Sequence, residues 1–89
     1  MGKYKVGGNM KVTQCLKILK IMLEHKEHKV WKASDFQSGE FFVGYEATAR
    51  MSDLMRIYPD QFIVGKDGRF RTLSINWDNV TEEFLKQVQ

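Results

Sequence analysis

Tyr45-Glu46-Ala47-Thr48-Ala49-Arg50-Met51-Ser52-Asp53-Leu54-Met55-Arg56-Ile57-Tyr58-Pro59 is the stretch on which the fold turns. Successive helical residues point about 100° apart. That spacing places Ala47, Met51, Leu54 and Tyr58 on one narrow apolar stripe. Ala49, Ser52, Asp53 and Arg56 fall on the opposite side, with Thr48 on the flank. The pattern predicts a helix over residues 45–58 with one face in a core and the other free. Pro59 ends it, because a residue before proline is pushed out of the helical region.

Two β-prone runs follow, 61–66 and 69–75, joined by Asp67-Gly68. An Asp-Gly pair favours a two-residue turn whose twist matches paired strands. Such a turn sets Lys66 opposite Arg69, Val64 opposite Arg71 and Phe62 opposite Leu73. Alternation then carries Phe62, Leu73 and Ile75 into the core at the hairpin base, and Lys66, Arg69 and Arg71 along the same face toward the tip. Beyond the hairpin, residues 79–89 predict a short helix. Asn79 and Glu82 are spaced for a capping box, and Val80, Phe84, Leu85 and Val88 supply apolar positions.

On the other side of the opening stretch, Cys15, Leu16, Leu19, Met22 and Leu23 recur at helical spacing over residues 13–25. Ile18 and Ile21 widen the apolar face, and Thr13 is placed to cap the helix. Residues 1–11 read as a flexible basic arm with Lys3, Lys5, Lys11 and the pair Gly7-Gly8. Residues 25–29 form a polar connection, after which Val30 and Trp31 resume burial. Residues 32–37 predict a short helix anchored by Phe36, broken at Ser38-Gly39. Phe41-Phe42-Val43 reads as extended. Both phenylalanines are expected in the core of so small a domain. The alternative sends one of them outward with Tyr45, as an anchor for a partner.

The chain has 89 residues, 43% hydrophobic and 12% aromatic, which suits one globular domain with a modest core. A single cysteine, Cys15, forbids an internal disulfide. No run approaches the roughly 20 apolar residues of a membrane span, and the first residues lack the apolar segment of a secretory signal. A cytoplasmic protein is expected by elimination. His25, His28 and Cys15 do not supply the three or four ligands that zinc takes, so no metal and no cofactor are expected. Glycine-rich phosphate loops, nucleophile elbows and paired catalytic carboxylates are missing from the sequence, so no enzyme is expected. The formal net charge of +3 leans mildly toward polyanions.

The order of helix, short helix, proline-ended helix and hairpin resembles a winged helix-turn-helix domain. The resemblance covers roughly residues 13–75. Residues 47–59 are similar to the third-helix signature of small winged-helix proteins of phages and other mobile elements, and Lys32-Ala33-Ser34-Asp35-Phe36 is similar to the start of the second helix in that class. The fold so implied is α+β: a three-helix core with a β-hairpin wing over residues 12–78, the arm at 1–11, and a C-terminal helix at 79–89.

The function it implies is DNA binding by a small transcriptional or mobile-element regulator. The helix at 45–58 would enter the major groove of double-stranded DNA, and residues 64–71 would sit on phosphates. Thr48, Ser52 and Arg56 project outward as base-edge candidates. Arg50, at the core boundary, is assigned to a phosphate or to bracing the helix. Lys66, Arg69 and Arg71 are the phosphate contacts of the wing. Phe84, Leu85 and Val88 are candidates for a homodimer contact, since one small module buries limited DNA surface. Within the helix, Glu46 and Asp53 offset Arg50 and Arg56. That balance suits a second reading, in which the scaffold binds a host protein and no DNA.

Overall fold

The structure, a computed structural model, describes residues 3–88, with side chains described from Val12 onward. It is an α+β fold in which helices cover one face of a three-stranded antiparallel sheet. Helix α1 spans Lys3–Glu24, strand β1 Trp31–Lys32, helix α2 Ala47–Ile57, strands β2 and β3 Phe62–Asp67 and Phe70–Ile75, and helix α3 Glu82–Gln87. Short 3-10 turns fill the connections.

Helix α1 begins at Lys3, so Thr13 lies inside it and does not cap it. Residues 3–11, expected as part of a flexible arm, are helical in their backbone and continue into α1, while their side chains fall outside those described. Cys15, Ile18, Leu19 and Met22 form the buried stripe of α1, with Leu16, Ile21 and Leu23 packed at its margins. Opposite them, α2 presents Ala47, Met51 and Leu54, the stripe expected from their spacing. The two helices close on each other tightly enough that Cys15 Sγ donates to the Arg50 carbonyl at 3.7 Å. Burial pushes the Cys15 thiol up from its ordinary pKa, and the Asp53 carboxylate adds to the shift. The thiol therefore stays protonated and shielded. Native protein is expected to resist a thiol-specific disulfide reagent, with labelling appearing only across the unfolding transition. Rapid labelling under native conditions would show that the α1–α2 contact opens.

Strand β1 was not legible as a strand. It is two residues long, and its partner lies far along the chain: Trp31 pairs with Leu73 and Lys32 with Thr72. Trp31 is buried, whereas Val30, expected to resume burial beside it, is exposed. After Lys32 the chain leaves the sheet, because the Asp35 carboxylate accepts the Lys32 backbone N–H at 2.8 Å and draws the backbone into the 3-10 turn Ala33–Phe36. That turn occupies the place of the expected short helix, and Phe36 anchors it as expected. Residues 37–44 loop back, closed by N–H groups of Val43 and Gly44 donating to the Phe36 carbonyl. Phe41, expected in an extended run, instead ends a second 3-10 turn, Gly39–Phe41, and is half-buried. Phe42 stands exposed, so the expectation that both phenylalanines enter the core is corrected.

The hairpin register differs from that expected. Asp67 pairs with Phe70, Lys66 with Arg71, Val64 with Leu73 and Phe62 with Ile75. The two turn residues are Gly68 and Arg69, with Gly68 at φ +65°. A positive φ at the first central position alone, taken by glycine, is the pattern of a type II′ turn, whereas Asp-Gly implied type I′. The slip is two residues, so face parity survives. Phe62, Leu73 and Ile75 are buried as expected.

Gly65 faces Thr72, and a Cβ at Gly65 would stand 2.9 Å from Thr72 Oγ1. Thr72 is buried and stiff at χ1. Gly65→Ala is expected to lower stability by about 1–2 kcal/mol through overpacking, measured as a shift in urea midpoint. In a Thr72→Ala background the loss should largely vanish. A loss of the same size in both backgrounds would contradict the contact.

At the C-terminus, Thr81 rather than Asn79 caps α3, its hydroxyl accepting from Phe84 N–H at 3.1 Å. The Asn79 side chain instead donates to the Asp60 carbonyl at 2.6 Å, tying this segment to the turn after α2. Phe84 and Val88 are buried in the chain's own core, Phe84 edge-on to Tyr58 at 5.2 Å. Two of the three residues assigned to a homodimer contact therefore face inward. Leu85 remains half-buried beside Lys20, Leu23 and Glu24.

Candidate nucleic-acid interface

Where β1 leaves the sheet, β3 and its hairpin continue past it, and the gap forms a groove of about 420 Å³. Ala33, Ser34 and Gln37 form one wall, Thr48 and Met51 of α2 another, and Arg69, Phe70 and Arg71 the third, with Lys32 at the end of β1. The alternation that buries Leu73 and Ile75 turns Lys66 and Arg71 toward the helices, while Phe70 shares the other face with Asp67 and Lys32.

Arg71 crosses to α2, where its Nη2 donates to Ser52 Oγ at 2.6 Å. This bond places the hairpin beside the outer side of α2. On that side Thr48, Ala49 and Arg56 are exposed, and Ser52 is half-buried beneath the arginine. The Arg56 side chain is 75% exposed, and its guanidinium donates to Asp53 Oδ1 one turn back. Asp53 thus holds an exposed cation in one orientation.

Arg50 does not join them. It is 7% exposed, with Nε 3.1 Å from Asp53 Oδ2 and Nη1 4.0 Å from Glu46 Oε1. Its Nε makes no aligned hydrogen bond with any described residue. Of the two roles expected for Arg50 the DNA contact is corrected, because the side chain is buried; it braces α2 from within, its charge met by carboxylates of the same helix.

Lys66, Arg69 and Arg71 are exposed, and none has a carboxylate partner among the described residues. Lys66 faces Arg71 directly, and Arg69 stands in the turn, so the three do not form the expected stack. Asp67, the carboxylate at the tip, is 3.3 Å from Lys32 Nζ. Like charges directly opposite on a sheet repel, so the Lys66–Arg71 pair contributes nothing to the hairpin's own stability.

Sequence reasoning missed Lys32, Ser34, Gln37 and Phe70 as lining residues. The signal for Phe70 was available: moving the turn by one residue brings it to the last pair before the bend. Lys32 and the others depend on β1 pairing across the chain, which no local pattern announces.

Among the described residues no group of three or more His, Cys, Asp and Glu is placed to hold a metal, and no helix is long and apolar enough to cross a membrane. His25 and His28 pack around aromatic rings, His28 stacking on Trp31 at 3.7 Å. Fold and site together define a small α+β domain with a cationic groove between a helix and a hairpin. No protein-family model, curated protein or solved structure matches the chain.

Proposed function

We propose that the chain is a winged-helix protein that binds double-stranded DNA, with the outer side of α2 in the major groove and the β2–β3 hairpin on the adjoining backbone. The observation that carries this reading is the Arg71–Ser52 bond, which holds the hairpin, with cations that have no carboxylate partner among the described residues, beside an exposed helix side. The element order and the sheet order β1-β3-β2 accord with a winged-helix layout. Thr48 and Arg56 have the chemistry to meet base edges, and Lys66, Arg69 and Arg71 that to neutralise phosphates. Such a module acts as a small regulator by occupying its site.

The test is a fluorescence anisotropy titration of random-sequence duplex DNA at low salt. Binding is expected with a dissociation constant on the order of micromolar, weakening as salt rises. Absence of binding there would shift the reading to a protein partner. One observation favours that second reading. Tyr45 is 81% exposed and Phe42 leans edge-on to it at 5.3 Å, an apolar pair that a partner could cover.

A further inference from the structure

We infer that the open edge of β2 is a self-association surface, along which two copies of the chain pair antiparallel about a two-fold axis at Val64.

Strand β2 lies at one end of the sheet order β1-β3-β2, so only one of its edges is paired. Ladder bonds of an antiparallel pair involve alternate residues. Asn76 N–H donates to the Gln61 carbonyl at 2.9 Å, and Asp67 and Phe70 close the two-residue turn, so the odd-numbered residues of 61–67 bond to β3. The backbone groups of Phe62, Val64 and Lys66 therefore point to the open edge. Natural sheet edges are guarded by proline, a bulge or a covering segment. Strand β2 contains no proline and pairs residue for residue with β3. It carries exposed apolar side chains on both faces, Ile63 at 52% and Val64 at 54%. Val64 shares the parity of buried Phe62 and Leu73, so its exposure shows that the helices stop short of this edge.

A second copy is the occupant that this edge selects. With Val64 opposite its own symmetry mate, Phe62 faces Lys66 of the other copy. All the outward-pointing residues of both strands are then used, giving about six backbone hydrogen bonds. Shifting the pairing either way loses some of these bonds, and an axis at Lys66 would also set two lysines against each other. In the Val64 register the bulk of Ile63 falls opposite Gly65, which has no side chain to oppose it. Charge agrees with shape. Antiparallel pairing runs the hairpin tip of each copy, with Lys66 and Arg69, past the start of β2 in the other. Asp60 is exposed there and has no cation partner among the described residues, just as Lys66 and Arg69 have no carboxylate partner. One short strand buries little area, so the dimer is weak and depends on concentration.

Sedimentation velocity of the full chain, without DNA and over a concentration series reaching the submillimolar range, reads the self-association. Wild type is expected to pass from monomer to dimer. Val64→Lys, at a half-exposed position, should keep the native circular dichroism and weaken the dimer at least about tenfold by setting like charges opposite each other. Val64→Cys should form a disulfide-linked dimer on mild oxidation, since directly paired Cα atoms lie about 5.5 Å apart, within disulfide reach. Tyr45→Cys, exposed but not on β2, should link far more slowly. Wild type monomeric throughout, a dimer that Val64→Lys leaves intact, or Val64→Cys linking no faster than Tyr45→Cys would each overturn the pairing. No arm includes DNA, so the outcome is separate from that of the duplex titration.

Discussion

Trp31→Ala is expected to remove about half of the domain's stability at 25 °C. Trp31 is 1% exposed, stacked between Phe36 at 5.1 Å and His28 at 3.7 Å, with Phe41 edge-on at 5.2 Å. It also sits where β1 joins β3, opposite Leu73. Truncating a buried tryptophan costs about 3–5 kcal/mol. A domain of this size has a total stability of only about 5–10 kcal/mol, so the loss removes much of it. Urea unfolding followed by circular dichroism measures the effect. Trp77 provides the contrast, being half-buried with the Lys26 ammonium over its ring at 4.8 Å. Trp77→Phe should change stability by less than about 1 kcal/mol. Similar midpoints for the two variants would contradict the placement of Trp31 at the centre of the core.

Replacing Lys66, Arg69 and Arg71 together with alanine is expected to weaken duplex binding by at least about a hundredfold at low salt, through the loss of phosphate contacts. Each lost contact lowers the slope of log K against log salt by about 0.9, so the triple variant should lose up to about 2.7 from the slope. Folding should survive, since the substitutions also relieve the repulsion between Lys66 and Arg71. Loss of the Arg71–Ser52 bond offsets part of that relief. Equal slopes for wild type and variant would remove the hairpin from the interface. Tyr45→Ala, on the acidic aromatic patch, should leave the slope where it was.

The parts of this molecule readable from sequence are those set by local periodicity. Ala47, Met51 and Leu54 recur at a helical spacing, and Phe62, Leu73 and Ile75 keep strand parity even though the register is shifted. The register itself was not readable, because Asp67-Gly68-Arg69 admits two turns that differ by one residue. The observed turn gives glycine the left-handed position and leaves Asp67 free to meet Lys32. Strand β1 depends on a pairing with residues about forty positions away, a tertiary fact with no local trace. Arg50 was legible in part: its position at the core boundary could be read, and of its two expected roles the flanking carboxylates of Glu46 and Asp53 decide for bracing, since they make its burial tolerable. At the C-terminus, Phe84 and Val88 look like a free apolar stripe until the tertiary fold covers it, with Tyr58 at the end of α2 against Phe84 and α1 beside Val88.

The most direct test of the proposed interface is backbone amide chemical-shift mapping while duplex DNA is titrated into labelled protein. The proposed docking predicts the largest shifts at Thr48, Ser52 and Arg56 on α2 and at Arg69, Phe70 and Arg71 on the hairpin, with Arg50 and the C-terminal helix nearly still. Shifts confined to Phe42 and Tyr45, or a spectrum unchanged by DNA, would contradict it.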